Sequence, residues 1–109
     1  MAYWPKEDVE MWLHAHPLTR LTPQTITTPA GLLERLSQAR AQHWVHAVDE
    51  HEWGVQAIAV PLQRADGQVV AALNVVLASG ANGASPEPAV TSRWLSWLHE
   101  AAAQMRTVL

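Results

Sequence analysis

Residues 54–77, GVQAIAVPLQRADGQVVAALNVVL, constrain the fold more than any other stretch of the chain. Two apolar runs flank Arg64-Ala65-Asp66-Gly67-Gln68. Asp-Gly is the pair preferred by two-residue hairpin turns, because both central residues there need positive φ. A turn at Asp66-Gly67 sets a register: Ala65 faces Gln68, Leu62 faces Ala71, Val60 faces Leu73, Ala59 faces Asn74 and Ala57 faces Val76. Side chains alternate between faces along a strand, so the register sorts them. One face carries Ile58, Val60, Leu62, Ala71, Leu73 and Val75, a packing face. The other carries Val55, Ala57, Ala59, Pro61, Ala72, Asn74 and Val76, which is apolar but small, with Asn74 as its polar group. A sheet that is apolar on both faces is covered on both. The small face has two readings. A helix packs closely on the alanines, or the space holds a ligand oriented by the amide.

The remaining composition fits one domain or part of one. The chain has 109 residues, of which 49% are hydrophobic, enough for a core and too apolar for disorder. The net charge is −3. With Lys6 as the only lysine and six scattered arginines, no basic surface for nucleic acid is implied. There is no cysteine, which excludes disulfides, thiolate chemistry and cysteine-type zinc sites and is compatible with the cytoplasm. No apolar run approaches a membrane span, and the first residues do not read as a signal peptide. Six tryptophans and no phenylalanine leave the aromatic volume of the core to tryptophan.

Taken in order, Pro5-Lys6-Glu7-Asp8 opens a helix whose buried face is Val9, Trp12 and Leu13, fading before Pro17. Residues 18–28 form an extended, threonine-rich connector. Thr28 caps a second helix with Pro29 in its first turn. Leu32, Leu33, Leu36 and Ala39 form its apolar stripe, while Glu34, Arg35, Gln38 and Arg40 face water, to about Gln42. Residues 44–48 are a short strand, and Asp49-Glu50-His51-Glu52 is a polar connection in which Gly54 allows a bend. After the hairpin, residues 78–88 read as a loop. A last helix from about Val90 to Arg106 carries Trp94, Leu95, Leu98, Ala102 and Met105 inward, with Trp97 and Ala101 beside them. An exposed Trp97 would mark a subunit contact. The order of helix, helix, three strands and helix is an α+β architecture, an antiparallel sheet with helices on its faces.

Catalytic and metal chemistry find no support. The histidine pairs His14/His16 and His43/His46 have spacings that do not share a helix or strand face, and His51 and His99 stand apart. There is no nucleophile motif, no cysteine and no serine with an evident base. Gly80 and Gly83 do not form a phosphate cradle. No catalytic residue, metal ligand or cofactor is assigned.

The segments AYWPKEDVEMWL, TPQTIT-x-P, D-E-H-E-x-G-V and I-A-V-P-L…D-G-Q-V-V-A-A-L-N-V, with the closing LHEAAAQM, resemble the effector-binding domain of IclR-type transcriptional regulators over nearly the whole chain. The A-L-N-V ending looks more like the branch that senses aromatic acids and related β-ketoadipate pathway compounds than the glyoxylate-sensing branch. The resemblance implies a GAF-like sheet and a non-enzymatic, cytoplasmic sensor of a small organic acid, aromatic in this branch. It also implies self-association as a dimer or tetramer. It further implies that residues 1–109 cover the later part of the effector domain, without the first strands or the helix-turn-helix, so that this chain does not bind DNA directly. The positions matching the family's ligand contacts are Val55, Ala57, Asn74 and Val76, all on the small face. Ala59 lies between them and Trp53 at the rim. Ala47 and Val76 stand where many members have polar residues, which favours a larger, less polar effector or a lost site. His51 matches a family histidine that orients the connection or meets an effector carboxylate. The competing expectation is an interaction module without useful ligand binding, which uses a bare sheet edge to recruit a partner.

Overall fold

The computed structural model describes residues 1–78 and 88–109. Three helices and three strands follow the expected order. Helix α1 spans Lys6–Ala15, α2 Pro29–Gln42 and α3 Pro88–Met105, the last continued by a 3-10 turn at Arg106–Val108. Strands β1 (Val45–Val48), β2 (Val55–Gln63) and β3 (Val69–Ala78) form one antiparallel sheet in the order β1-β2-β3. The loop expected after Ala78 lies outside the described residues.

Local chemistry accounts for the helix ends. Pro5 precedes α1, Glu7 and Asp8 occupy its positive first turn, and Val9 is its buried residue. At the other end the His16 N–H donates to the Trp12 carbonyl at 2.9 Å, and the two rings stack at 4.4 Å. Thr28 caps α2 by accepting the Gly31 N–H at 3.1 Å, with proline in the first turn.

The register read from the sequence is present from Leu62–Ala71 to Ala57–Val76. The turn differs. The Arg64 N–H donates to the Gln68 carbonyl and the Gly67 N–H to the Arg64 carbonyl, each at 2.9 Å, so Ala65, Asp66 and Gly67 make a three-residue loop. Gly67 takes φ 87°, as a turn followed by a left-handed residue requires. Asp66 Oδ1 accepts the Gln68 N–H at 2.9 Å and holds the bend. The shift of one residue is reversed at once. Gln63 pairs with Val69 while Leu62 pairs with Ala71, leaving Val70 as a bulge that returns the strands to the expected faces. Arg106 clamps this end, donating to the carbonyls of Arg64 and Ala65 at 3.1 and 3.2 Å.

Helix α3 covers the packing face. Ile58, Val60 and Leu98 are the buried centre, with Trp44, Leu73, Val75, Trp94, Leu95 and Ala102 packed against it. Met105, expected inward, is exposed at the helix end, and Trp97 is 51% exposed, edge-on to Trp94 at 5.2 Å. The small face is not covered throughout: Ala72, Asn74 and Val76 are exposed.

Candidate functional site

The small face is continued by β1. Val45 lies opposite Ala59 and Ala47 opposite Ala57, which in turn face Asn74 and Val76. Val55, Ala57 and Ala59 are half-buried there, and Val76 is 61% exposed. The sequence-derived positions Val55, Ala57, Ala59, Asn74 and Val76 thus share one face across two strands. Trp53, placed at the rim by the sequence reading, stands before the start of β2 at 58% exposure and does not line the cleft on this face.

A cleft of about 450 Å³ opens on this face toward the hairpin turn. Its floor includes Val45, Ala59, Pro61 and residues 69–72. One wall is α2, through Arg35, Leu36 and Ala39, and Tyr3 and Trp4 close the side. Ala59 is the one sequence-derived site residue in this lining; Asn74 and Val76 continue the same face beyond it. The cleft is therefore an apolar trough with aromatic rings at its side, in the size range of small-molecule sites.

Among the cleft-lining residues that sequence reasoning did not assign to the site, Arg35 is the charged one. It was expected to face water with Glu34 and Gln38, but its side chain is 32% exposed and lines the cleft. Its guanidinium nitrogen lies 2.7 Å from Glu50 Oε1. Helical periodicity records the side of α2 on which Arg35 sits, and that side is shared with Leu32, Leu36 and Ala39. The spacing was the available signal, and the residue's charge argued against it.

Glu50 belongs to a connection tied down by its backbone. The hydroxyls of Thr22 and Thr25 donate to the carbonyls of Asp49 and Glu50. Buried Asp49, at φ 56°, accepts the Gly54 N–H on Oδ1 at 2.9 Å and donates its own N–H to the Val55 carbonyl at 3.0 Å. The threonines of the TPQTIT segment and the aspartate of the D-E-H-E segment thus meet in space and set the start of β2. His51 is exposed at the outside of this connection. On the packing face, His46 Nε2–H donates to Gln56 Oε1 at 2.8 Å and Gln56 Nε2 donates to the Ala78 carbonyl at 3.3 Å, so buried Gln56 is satisfied across three strands.

Tyr3 has its hydroxyl within 2.9 Å of His43 Nδ1. Burial raises its phenol above the ordinary value, and the positive charge of Arg40 offsets part of that rise. Among the described residues there is no group of three or more histidine, aspartate or glutamate side chains that could hold a metal ion, and no helix is long and apolar enough to cross a membrane.

Comparison with known proteins agrees with this architecture. The family model described as bacterial transcriptional regulator IclR C-terminal matches residues 1–105. The Pca operon regulatory protein of Acinetobacter baylyi is 36% identical over 114 aligned positions, covering all of this chain and 38% of that protein. The p-hydroxybenzoate hydroxylase transcriptional activator of the same organism is 44% identical over 63 residues, 58% of this chain and 23% of the relative. In three dimensions, the inducer-binding domain of the PobR transcription factor from Acinetobacter, solved as a double mutant with 3-hydroxybenzoic acid, superposes with a TM-score of 0.89 at 32% identity. That match covers 99% of this chain and 62% of that one. The E. coli regulator KdgR C-terminal domain gives 0.84 at 28% identity, over 98% of this chain and 63% of that one. The chain spans less than two thirds of each of these relatives. With the family model, the curated regulators and the shared fold in agreement, this chain belongs to the IclR C-terminal family, on the branch related to the Pca and PobR regulators, and is effector-binding domain sequence.

Proposed function

We propose that residues 1–109 are the later part of an effector domain that binds a small aromatic carboxylic acid on the small-residue face. We assign the effector contacts to Val55, Ala57, Ala59, Asn74 and Val76, with Trp53 at the rim. The observation that carries this reading is the open strip of alanine and valine side chains with one exposed amide, running into a 450 Å³ apolar cleft. An aromatic ring stacks on such a surface, and the amide orients its polar substituent. A relative's inducer-binding domain of the same fold carries 3-hydroxybenzoic acid. Binding would act on transcription through the remainder of a full regulator, since the chain spans 38% of the Pca operon regulatory protein that it matches. No cofactor and no catalytic step enter this reading. Titrating 3-hydroxybenzoate into isotopically labelled protein should move the backbone signals of Ala57, Asn74 and Val76. Saturable shifts confined to another surface would remove these residues from the site.

A second reading is favoured by β3. This ten-residue edge strand carries no charge or proline, and Val70, Ala71, Ala72 and Val76 are exposed on it. An unguarded edge of this kind pairs with another strand, which makes the chain a self-associating module. Sedimentation of the protein with and without Val70→Lys separates the two: association lost on adding this edge charge supports the module.

A further inference from the structure

Arg35 is the one charged side chain among the described residues that line the cleft. Its side chain is 32% exposed, and a partly buried cation is stabilised by an anion. Glu50 supplies one, with its Oε1 2.7 Å from a guanidinium nitrogen. A guanidinium presents five N–H donors in a planar fork that suits two parallel bonds to a carboxylate. With five donors, the same fork can also be contested by a second carboxylate.

We infer that Arg35 is the carboxylate anchor of this cleft and that Glu50 is its built-in competitor, displaced when an effector carboxylate takes the guanidinium. The inference rests on the reading of the small-residue face as an acid-binding site. The chemistry of the cleft fits one occupant class, an aryl carboxylate. The ring lies on the small-residue floor at Ala59, opposite Asn74, with Tyr3 and Trp4 at the side, and the charge lies at the α2 wall. A neutral isostere fills the same volume but offers Arg35 no charge in exchange for Glu50, so it does not displace it. The pairing thus acts as a filter for ionised ligands.

The exchange also has a structural consequence. The Glu50 side chain is one of the links between α2 and the connection that leads into β2. Other restraints on that connection include the threonine hydroxyls on the carbonyls of Asp49 and Glu50, the Asp49 contacts to Gly54 and Val55, and the Val55 N–H on the Glu52 carbonyl. Losing the link to α2 removes one restraint on residues 50–54. Occupancy of the cleft is thereby reported at the start of the strand that carries Val55 and Ala57.

The test uses 3-hydroxybenzoate and 3-hydroxybenzamide as probes, titrated calorimetrically into the 109-residue chain and its Arg35→Met, Arg35→Lys and Glu50→Gln variants, with folding checked by circular dichroism. The native chain should prefer the acid over the amide by tenfold or more, since a charge-assisted pair exceeds a neutral one by about that factor. Arg35→Met should erase the preference, Arg35→Lys should retain part of it, and Glu50→Gln should bind the acid several-fold more tightly by removing the competitor. Hydrogen exchange at residues 50–54 should quicken with the acid and not with the amide. An unchanged preference in Arg35→Met, or acid affinity unaltered in Glu50→Gln, overturns the inference while leaving the acid site standing. Where Arg35→Met does not fold, Glu50→Gln decides alone, because it leaves the anchor in place. If neither probe binds the native chain or Glu50→Gln, the acid site and the anchor fall together.

Discussion

Ala59 and Asn74 stand opposite one another across β2 and β3, which sets an exposed amide beside a side chain of one carbon on the small-residue face. Asn74→Leu keeps the branched shape and removes the polar group. Because the position is exposed, its unfolding free energy should change by no more than about 0.5 kcal/mol. Effector affinity should fall about tenfold, the value of one lost hydrogen bond near 1.4 kcal/mol. Titration of 3-hydroxybenzoate into the two proteins checks this, and equal affinities would place the amide outside the site.

Ile58 faces the opposite way, fully buried between Val60 and Leu98 under α3. Ile58→Ala removes its outer carbons where surrounding strands cannot collapse, and should cost about 2–5 kcal/mol in denaturant unfolding. Val76→Ala, at 61% exposure on the other face, should cost far less. The contrast tests the assignment of the two faces without reference to any ligand.

The hairpin and α2 were readable because the determining chemistry is local. Thr28-Pro29 can be recognised as a helix start from two adjacent residues, and alternation carries the Ala57–Val76 register over its whole length. The size of the turn was not readable in the same way. Asp-Gly suits both a two-residue and a three-residue loop, and the choice was made by Gly67 alone taking positive φ and by the bulge at Val70 that absorbs the shift. Arg35 was misplaced for a different reason. Its neighbours across the cleft, Tyr3 and Trp4, come from a distant stretch of chain, and its anion comes from the connection after β1. Periodicity describes one helix and does not describe what stands opposite it.

Gly67 provides a test of the revised turn. At φ 87° a Cβ is strained although no atom lies within 4 Å of where it would stand. Gly67→Ala should destabilise the protein by about 1–2 kcal/mol, the left-handed penalty for one residue. Asp66→Gly should also destabilise, by about 1 kcal/mol or more, through the lost hydrogen bond to the Gln68 N–H and the added chain entropy of glycine. A two-residue turn with both residues at positive φ would reverse that second result and make Asp66→Gly stabilising.

Tyr3, the chain's only tyrosine, has its phenol raised by burial, so the neutral form is favoured in the folded state. Above the usual value near 10, the unfolded chain loses its proton first, and stability falls as pH rises from there through the folded value. Below that range the group contributes no pH dependence. Phenolate absorbance of the folded protein should therefore appear at higher pH than in denaturant, and Tyr3→Phe should remove this part of the alkaline loss of stability.

Thermal unfolding of the 109-residue chain against protocatechuate, 4-hydroxybenzoate, 3-hydroxybenzoate, phenylacetate, pyruvate and glyoxylate tests the central claim most directly. An acid present at 100 times its dissociation constant stabilises the fold by about 2.7 kcal/mol, a rise of several degrees for a domain of this size. The sensor reading predicts that rise with the aromatic acids and not with pyruvate or glyoxylate. A cooperative transition that none of the acids moves, in a protein that sediments as an oligomer, would contradict it and leave the self-associating module in its place.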